Sequence, residues 1–203
     1  MQFYFVRHGE SVANLLHEFS NRGCKHPLTE KGRLQASELG DRLKGKHLIH
    51  IYSSPLLRAQ QTSQILAEIW HLDITITDAL REFDVGIYEG TSDSQGWEDY
   101  REVVHVWLWE NNRDRRLPEG ESFQDLLDRF IPFIEDLKTK YKDTEGAILL
   151  VGHGGLYRCV LPYVLTNISY DFCEQHPIDN VSFIVTETNN NELICLSWCG
   201  YNI

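Results

Sequence analysis

The sequence predicts an α/β sandwich, and three observations carry that prediction. Apolar runs of strand length alternate with segments of helical period as far as Trp70: QFYFV, LTEKGRLQASELGDRLKG, IHIYSS and LLRAQQTSQILAEIW. The same strand-then-helix unit returns in GAILLVGHGGLYRCVLPYVL. A chain of 203 residues with 42% hydrophobic content can bury one large core and is short for two.

Taken in order, Gln2 to Val6 is β-branched and aromatic, as a buried strand should be. Gly9 breaks the run, so Arg7 and His8 fall at its carboxyl end. The helix that follows turns Ala36, Leu39 and Leu43 inward and stops at Gly45. A second strand covers about Ile49 to Ser53. Ser54 and Pro55 then suit the N-cap and first position of a helix that carries Arg58 in its first turn. Ala59, Thr62, Leu66 and Ile69, with Ile65 beside them, form its inner face.

Trp97, Tyr100, Val104, Trp107 and Leu108 recur at helical spacing, as an amphipathic helix over the open edge of the sheet would have them. Ser122 opens another helix with Phe123, Leu126, Leu127, Phe130 and Ile134 inward and Pro132 bending it. Ala147 to Val151 is a continuous apolar strand that runs into a glycine-rich turn holding His153. The helix beyond is kinked or shortened by Pro162. VSFIVTE and ELICLSW close the chain as a hairpin through Asn189 to Asn191 at one edge of the sheet.

A net charge of -11 and a pI near 5.2 exclude a general binder of nucleic acid or membrane surface, so any anion site must be local. No apolar run approaches a membrane span, and no basic region followed by an apolar stretch opens the chain. A soluble, cytoplasmic protein is expected. Five cysteines, odd in number and without CxxC spacing, should be reduced thiols. The glycosylation sequons at Asn167 and Asn180 read as chance, and His17, Cys24 and His26 match no standard zinc spacing.

Function enters through placement. Arg7, His8 and His153 follow strand ends and Arg58 opens a helix; ligands of open α/β sheets bind at that edge, beside helix N-termini. Each residue alone has a bland reading: a charged turn for RHGE, a structural or surface role for a lone histidine. Their shared placement beside glycine favours an anion site instead.

Four blocks, RHGES, SPLLRAQQT, the glutamate of LREFDVGIYEG, and GHGG, resemble in that order the histidine phosphatase superfamily. The branch is the one containing cofactor-dependent phosphoglycerate mutases and related phosphatases. The resemblance runs from Phe3 to about Leu165. It implies a phosphoglycerate mutase-like fold, a three-layer α/β/α sandwich with a mostly parallel central sheet. One domain would span residues 1–203, with a cap segment at about 88–122.

A phosphomonoester dianion needs charge neutralisation, an in-line nucleophile and a proton for the departing alkoxide. The resemblance implies that His8 is the nucleophile, that Glu82 is the proton donor and that His153 binds the transferring phosphoryl group. Arg7 and Arg58 supply positive charge and should keep His8 neutral. Asn14, Ser11 and Gly154 join Arg7, Arg58 and His153 as substrate-binding candidates; Asn14 is equally a solvated position and Ser11 equally a helix cap.

On the residues alone, Asp84 and Glu89 rival Glu82, with Glu89 ordering the loop that ends at Gly90. Arg81 pairs with a neighbouring acid, and Glu10 orients its neighbours. One or two cap aromatics would touch substrate. Arg113, Arg115 and Arg116 either recognise a second anionic group or are a solvated charge run.

A metal-independent phosphatase acting on small phosphomonoesters is the expected function. A phosphoglycerate mutase is the alternative, and a non-catalytic phosphoprotein-binding module a third. No cofactor, nucleic acid or membrane partner is expected, and homo-oligomerisation stays open.

Overall fold

A computed structural model describes residues 1–190 and 192–203. Asn191, the last residue assigned above to the hairpin turn, lies outside the described residues. The seven strands are β1 (Gln2–Arg7), β2 (Leu48–Ser53), β3 (Ile74–Ile76), β4 (Ala147–Gly152), β5 (Phe183–Asn189), β6 (Glu192–Trp198) and β7 (Tyr201–Asn202). They form one sheet in the order β3-β2-β4-β1-β5-β6-β7. The pairings from β3 to β1 are parallel, and those from β1 to β7 are antiparallel. The expected C-terminal hairpin is present, but β5 joins it to β1 and β7 adds a short strand outside it.

Strands buried on both faces read as unbroken apolar runs because each face is covered by helices. On β1, Phe3 and Phe5 join Ile148 and Leu150 of β4 in one core. That core is closed by α4 (Ser94–Trp109), α5 (Phe123–Lys140) and α6 (Gly154–Val164). Tyr4 and Val6 join Leu149 and Val151 in a second core, closed by α2 (Glu30–Arg42) and α3 (Leu57–Trp70). The result is the α/β/α arrangement. Two short helices, α1 (Val12–Leu16) and α7 (Tyr170–Gln175), lie at the carboxyl edge of the sheet and in the C-terminal region.

Two expectations about α3 need correction. The helix starts at Leu57 with Leu56 at the cap, not at Pro55 with Ser54 capping. The residue before a proline is driven to extended backbone, and Ser54 Oγ is engaged elsewhere, accepting from the Leu56 N–H and pairing with His153. The inner face runs through Ala59, Thr62, Ser63, Leu66 and Ala67, whereas Ile69 is exposed and packs sideways on Gly40 of α2. Ser122 caps α5 as expected, in a reciprocal box with Asp125. That helix continues through Pro132, while α6 ends two residues beyond Pro162.

The turn after β1 is held by backbone contact. A Cβ on Gly32 would lie 1.9 Å from Glu10 O, and one on Gly9 2.4 Å from Gly32 O. The Glu10 side chain is tied to Thr29 and Lys31, the orienting role expected of it. Gly32→Ala should therefore overpack this seam and cost about 1–3 kcal/mol, read as a lower urea midpoint.

Candidate active site

The parallel register aligns three strand ends. Arg7 pairs with Gly152 and Ser53 with Val151, so His8, His153 and Ser54 are the first residues past the sheet at one edge. The imidazole rings of His8 and His153 are consequently 5.0 Å apart, and both residues are buried. Arg58, in the first turn of α3, reaches the same edge, with its Nε donating to His8 Nε2 at 3.0 Å. His8 Nδ1 lies 2.6 Å from the Gly9 carbonyl. Since that carbonyl can only accept, Nδ1 carries the proton and Nε2 keeps its lone pair.

Burial first, then Arg58 and Arg7, push the His8 pKa well below its ordinary value. His153 is lowered by the same causes, burial leading and His8 contributing. Burial outweighs the arginine charge that the sequence suggested as the reason for neutrality. Arg58 is itself lowered to about 10, mainly by burial. Two buried polar atoms here, Arg7 Nε and His153 Nδ1, have no hydrogen-bond partner among the described residues.

Glu82 closes the site from the loop after a 3₁₀ turn at Asp78–Leu80. Its Oε2 accepts from the Gly155 N–H at 2.9 Å and its Oε1 from the Phe83 N–H at 3.1 Å. Despite these bonds and nearby Arg58, burial raises its pKa. Gly155 is required here because a Cβ would sit 2.8 Å from both carboxylate oxygens. Arg129 of α5 holds the preceding loop, donating to the carbonyls of Asp78, Ala79 and Arg81 at 2.8–3.0 Å.

Arg7, His8, Asn14, Arg58, Glu82 and Gly154 line one cavity of about 320 Å³, whereas the buried His153 is not in its wall and adjoins it through the His8 ring. Asn14 presents its side chain there while its Oδ1 accepts from Ser11 N and Oγ, both at 3.0 Å. Ser11, expected as a substrate contact, is fully buried and outside the cavity wall because its hydroxyl is spent on Asn14. Trp97 and Tyr100 are the two cap aromatics that reach the cavity.

The rival acids are engaged elsewhere. Asp84 pairs with Arg22 at 2.7 Å, and Glu89 accepts from the N–H groups of Asn21 and Arg22. Glu89 thereby orders the segment whose Ser20 carbonyl receives Arg58 Nη1 at 2.6 Å. Arg81 pairs with Asp78 at 3.1 Å and Glu121 at 3.5 Å. Arg113 stacks on Tyr163, Arg115 pairs with Glu102 and Arg116 with Asp125; none of the three lines the cavity. Among the described residues, no group of three or more His, Cys, Asp or Glu is arranged to hold a metal.

The sequence reading missed the C-terminal side of the site. Arg7 Nη1 donates to Ile178 O at 2.7 Å, Asn180 Nδ2 to His8 O at 3.0 Å, and Val181 N to Arg7 O at 3.1 Å. Val181 has φ +53, a conformation strained for a β-branched residue, directly behind His8. The only sequence cue was Asn180, set aside with its sequon. Arg158 and Glu174 also line the cavity from α6 and α7.

A family model described as the histidine phosphatase superfamily (branch 1) matches residues 3–200. A curated relative, "Probable phosphoglycerate mutase GpmB" of Salmonella choleraesuis strain SC-B67, is 33% identical over 171 residues. The match covers 81% of this chain and 75% of the relative. Among solved structures, a mycobacterial glucosyl-3-phosphoglycerate phosphatase in complex with VO3 superposes with TM-score 0.82 at 23% identity, covering 98% of each chain. An alpha-ribazole phosphatase from Shigella flexneri superposes with TM-score 0.80 at 24% identity, covering 100% of this chain and 98% of the other.

The lowered histidine pKa values have a direct signature. In ¹⁵N NMR at pH 5.5, where an ordinary histidine is mostly protonated, the His8 and His153 rings should remain neutral, with the His8 proton on Nδ1. Arg58→Gln removes a positive charge beside His8 and should move its titration midpoint upward.

Proposed function

The chain belongs to the histidine phosphatase superfamily, and from that premise we propose a metal-independent phosphatase that hydrolyses small phosphomonoesters through a phosphohistidine on His8. One observation carries the reading: a buried His8 at the cavity wall whose Nδ1 is fixed by Gly9 O and whose Nε2 lone pair accepts from Arg58 Nε.

In the first step His8 Nε2 attacks phosphorus and the P–O ester bond breaks. Arg58 passes its N–H from the imidazole to a phosphoryl oxygen, and the orphaned Arg7 Nε and His153 Nδ1 become partners for others. The Ser54 hydroxyl, which accepts from the Leu56 N–H, donates to His153 Nε2, leaving the proton on Nδ1. Glu82, whose pKa burial raises, gives its proton to the departing alkoxide. In the second step the Glu82 carboxylate takes a proton from water, the water oxygen attacks phosphorus, and the P–N bond breaks. Phosphate leaves and neutral His8 returns.

The segment at about 88–122 serves as the cap of a single domain, because Trp97 and Tyr100 bring it against the cavity. Phosphoryl transfer between phosphoglycerates is the second reading, favoured by the name of the curated relative. The carboxylate clamp sought for it in Arg113, Arg115 and Arg116 is not at the cavity.

Turnover of phosphomonoesters in excess chelator should persist and should be lost in His8→Ala. An acid-labile, alkali-stable phosphoenzyme should be trapped during turnover. Phosphate release without transfer to 3-phosphoglycerate separates phosphatase from mutase. Glu82→Gln should slow alkyl phosphates about 10²–10⁴-fold and p-nitrophenyl phosphate much less, since its leaving group needs little protonation. The alkaline limb of kcat/KM should lie above the ordinary carboxylate range, because loss of the Glu82 proton ends activity there.

A further inference from the structure

The cavity wall holds polar residues beyond those assigned to the phosphoryl group. Beyond Arg7, His8, Arg58 and Glu82, it holds Arg158 of α6 and Glu174 of α7. Arg158 lies four residues after Gly154 on the same helix face, so about 6 Å separates its backbone from the turn beside His153. Arg158 is half-buried, and among the described residues its side chain has neither a hydrogen bond nor a carboxylate within 4.0 Å. Glu174 is exposed and is likewise without an ion-pair partner among the described residues. By contrast Glu18, the other acid of that outer wall, is occupied by Lys25 at 2.5 Å and His26 at 2.9 Å.

Building on the phosphatase reading, we propose that the pocket selects a short phosphomonoester whose alcohol carries both a carboxylate, held by Arg158, and an ammonium group, held by Glu174. A half-buried arginine gains most from a planar carboxylate, which it binds with two parallel N–H donors. A ligand lacking either charge leaves the matching side chain unpaired, which is how a pocket rejects close analogues. A cavity of about 320 Å³ fits a short ligand of this kind. The chain's net charge of -11 also disfavours a purely anionic ligand, which the ammonium group offsets.

Four substrates separate the contributions: O-phosphoserine carries both groups, 3-phosphoglycerate the carboxylate, O-phosphoethanolamine the ammonium and glycerol 3-phosphate neither. O-phosphoserine should exceed 3-phosphoglycerate and O-phosphoethanolamine by roughly tenfold in kcat/KM, the gain from one charge-assisted hydrogen-bonded pair, and glycerol 3-phosphate, which lacks both pairs, by roughly a hundredfold. Arg158→Gln should raise KM for the two carboxylate substrates about tenfold more than for the other two. Glu174→Gln should do the same for the two ammonium substrates. Arg113→Gln, outside the cavity, should leave all ratios in place. Equal kcat/KM on all four, or an Arg158→Gln that slows all four alike, overturns the proposal. If the wild-type protein turns none over, calorimetric binding of the same four decides: selective binding of O-phosphoserine keeps the pocket assignment and sinks the phosphatase reading, whereas equal or absent binding sinks both.

Discussion

The hydrogen bond from Arg58 Nε to His8 Nε2 is the interaction on which the site depends. A guanidinium cannot give up its proton at physiological pH, so it can share this contact only with a neutral imidazole. Burial enforces the same choice by penalising the imidazolium ion. The arginine therefore fixes the tautomer and aligns the lone pair. It also holds positive charge where a phosphoryl group would arrive.

Keeping Arg58 and His8 in place requires supports from distant parts of the chain. Glu89 grips the Asn21–Arg22 backbone, and that segment presents the Ser20 carbonyl to Arg58. Asn180 and Val181 grip the end of β1 from behind, at the expense of a strained backbone at Val181. Arg129 braces the loop that leads to Glu82. Each support joins segments far apart in sequence, so the geometry is rigid although several of the reacting groups sit on loops.

Glu82 and His8 show one environment tuning two groups in complementary directions. Desolvation raises the carboxyl and lowers the imidazole, shifts that favour a protonated acid beside a free base. Had charge dominated, the two arginines would have ionised Glu82 as well as deprotonating His8. Depth of burial thus decides whether an acid beside two guanidinium groups can donate a proton.

The sequence by itself determined the strand-and-helix order, the inward faces of α2 and α5, and the delivery of Arg7, His8, Arg58 and His153 to one sheet edge. Those features follow from hydrophobic period and glycine placement, which are local. Tertiary structure alone decided which acid reaches the cavity, because Asp84, Glu82 and Glu89 are neighbours in sequence and only packing separates them. It also moved Ser11 away from the cavity, turned Ile69 outward and replaced the arginine run of the cap with Arg158. The bracing by Arg129, Asn180 and Val181 had no local signal, since each acts on carbonyls belonging to a different part of the chain.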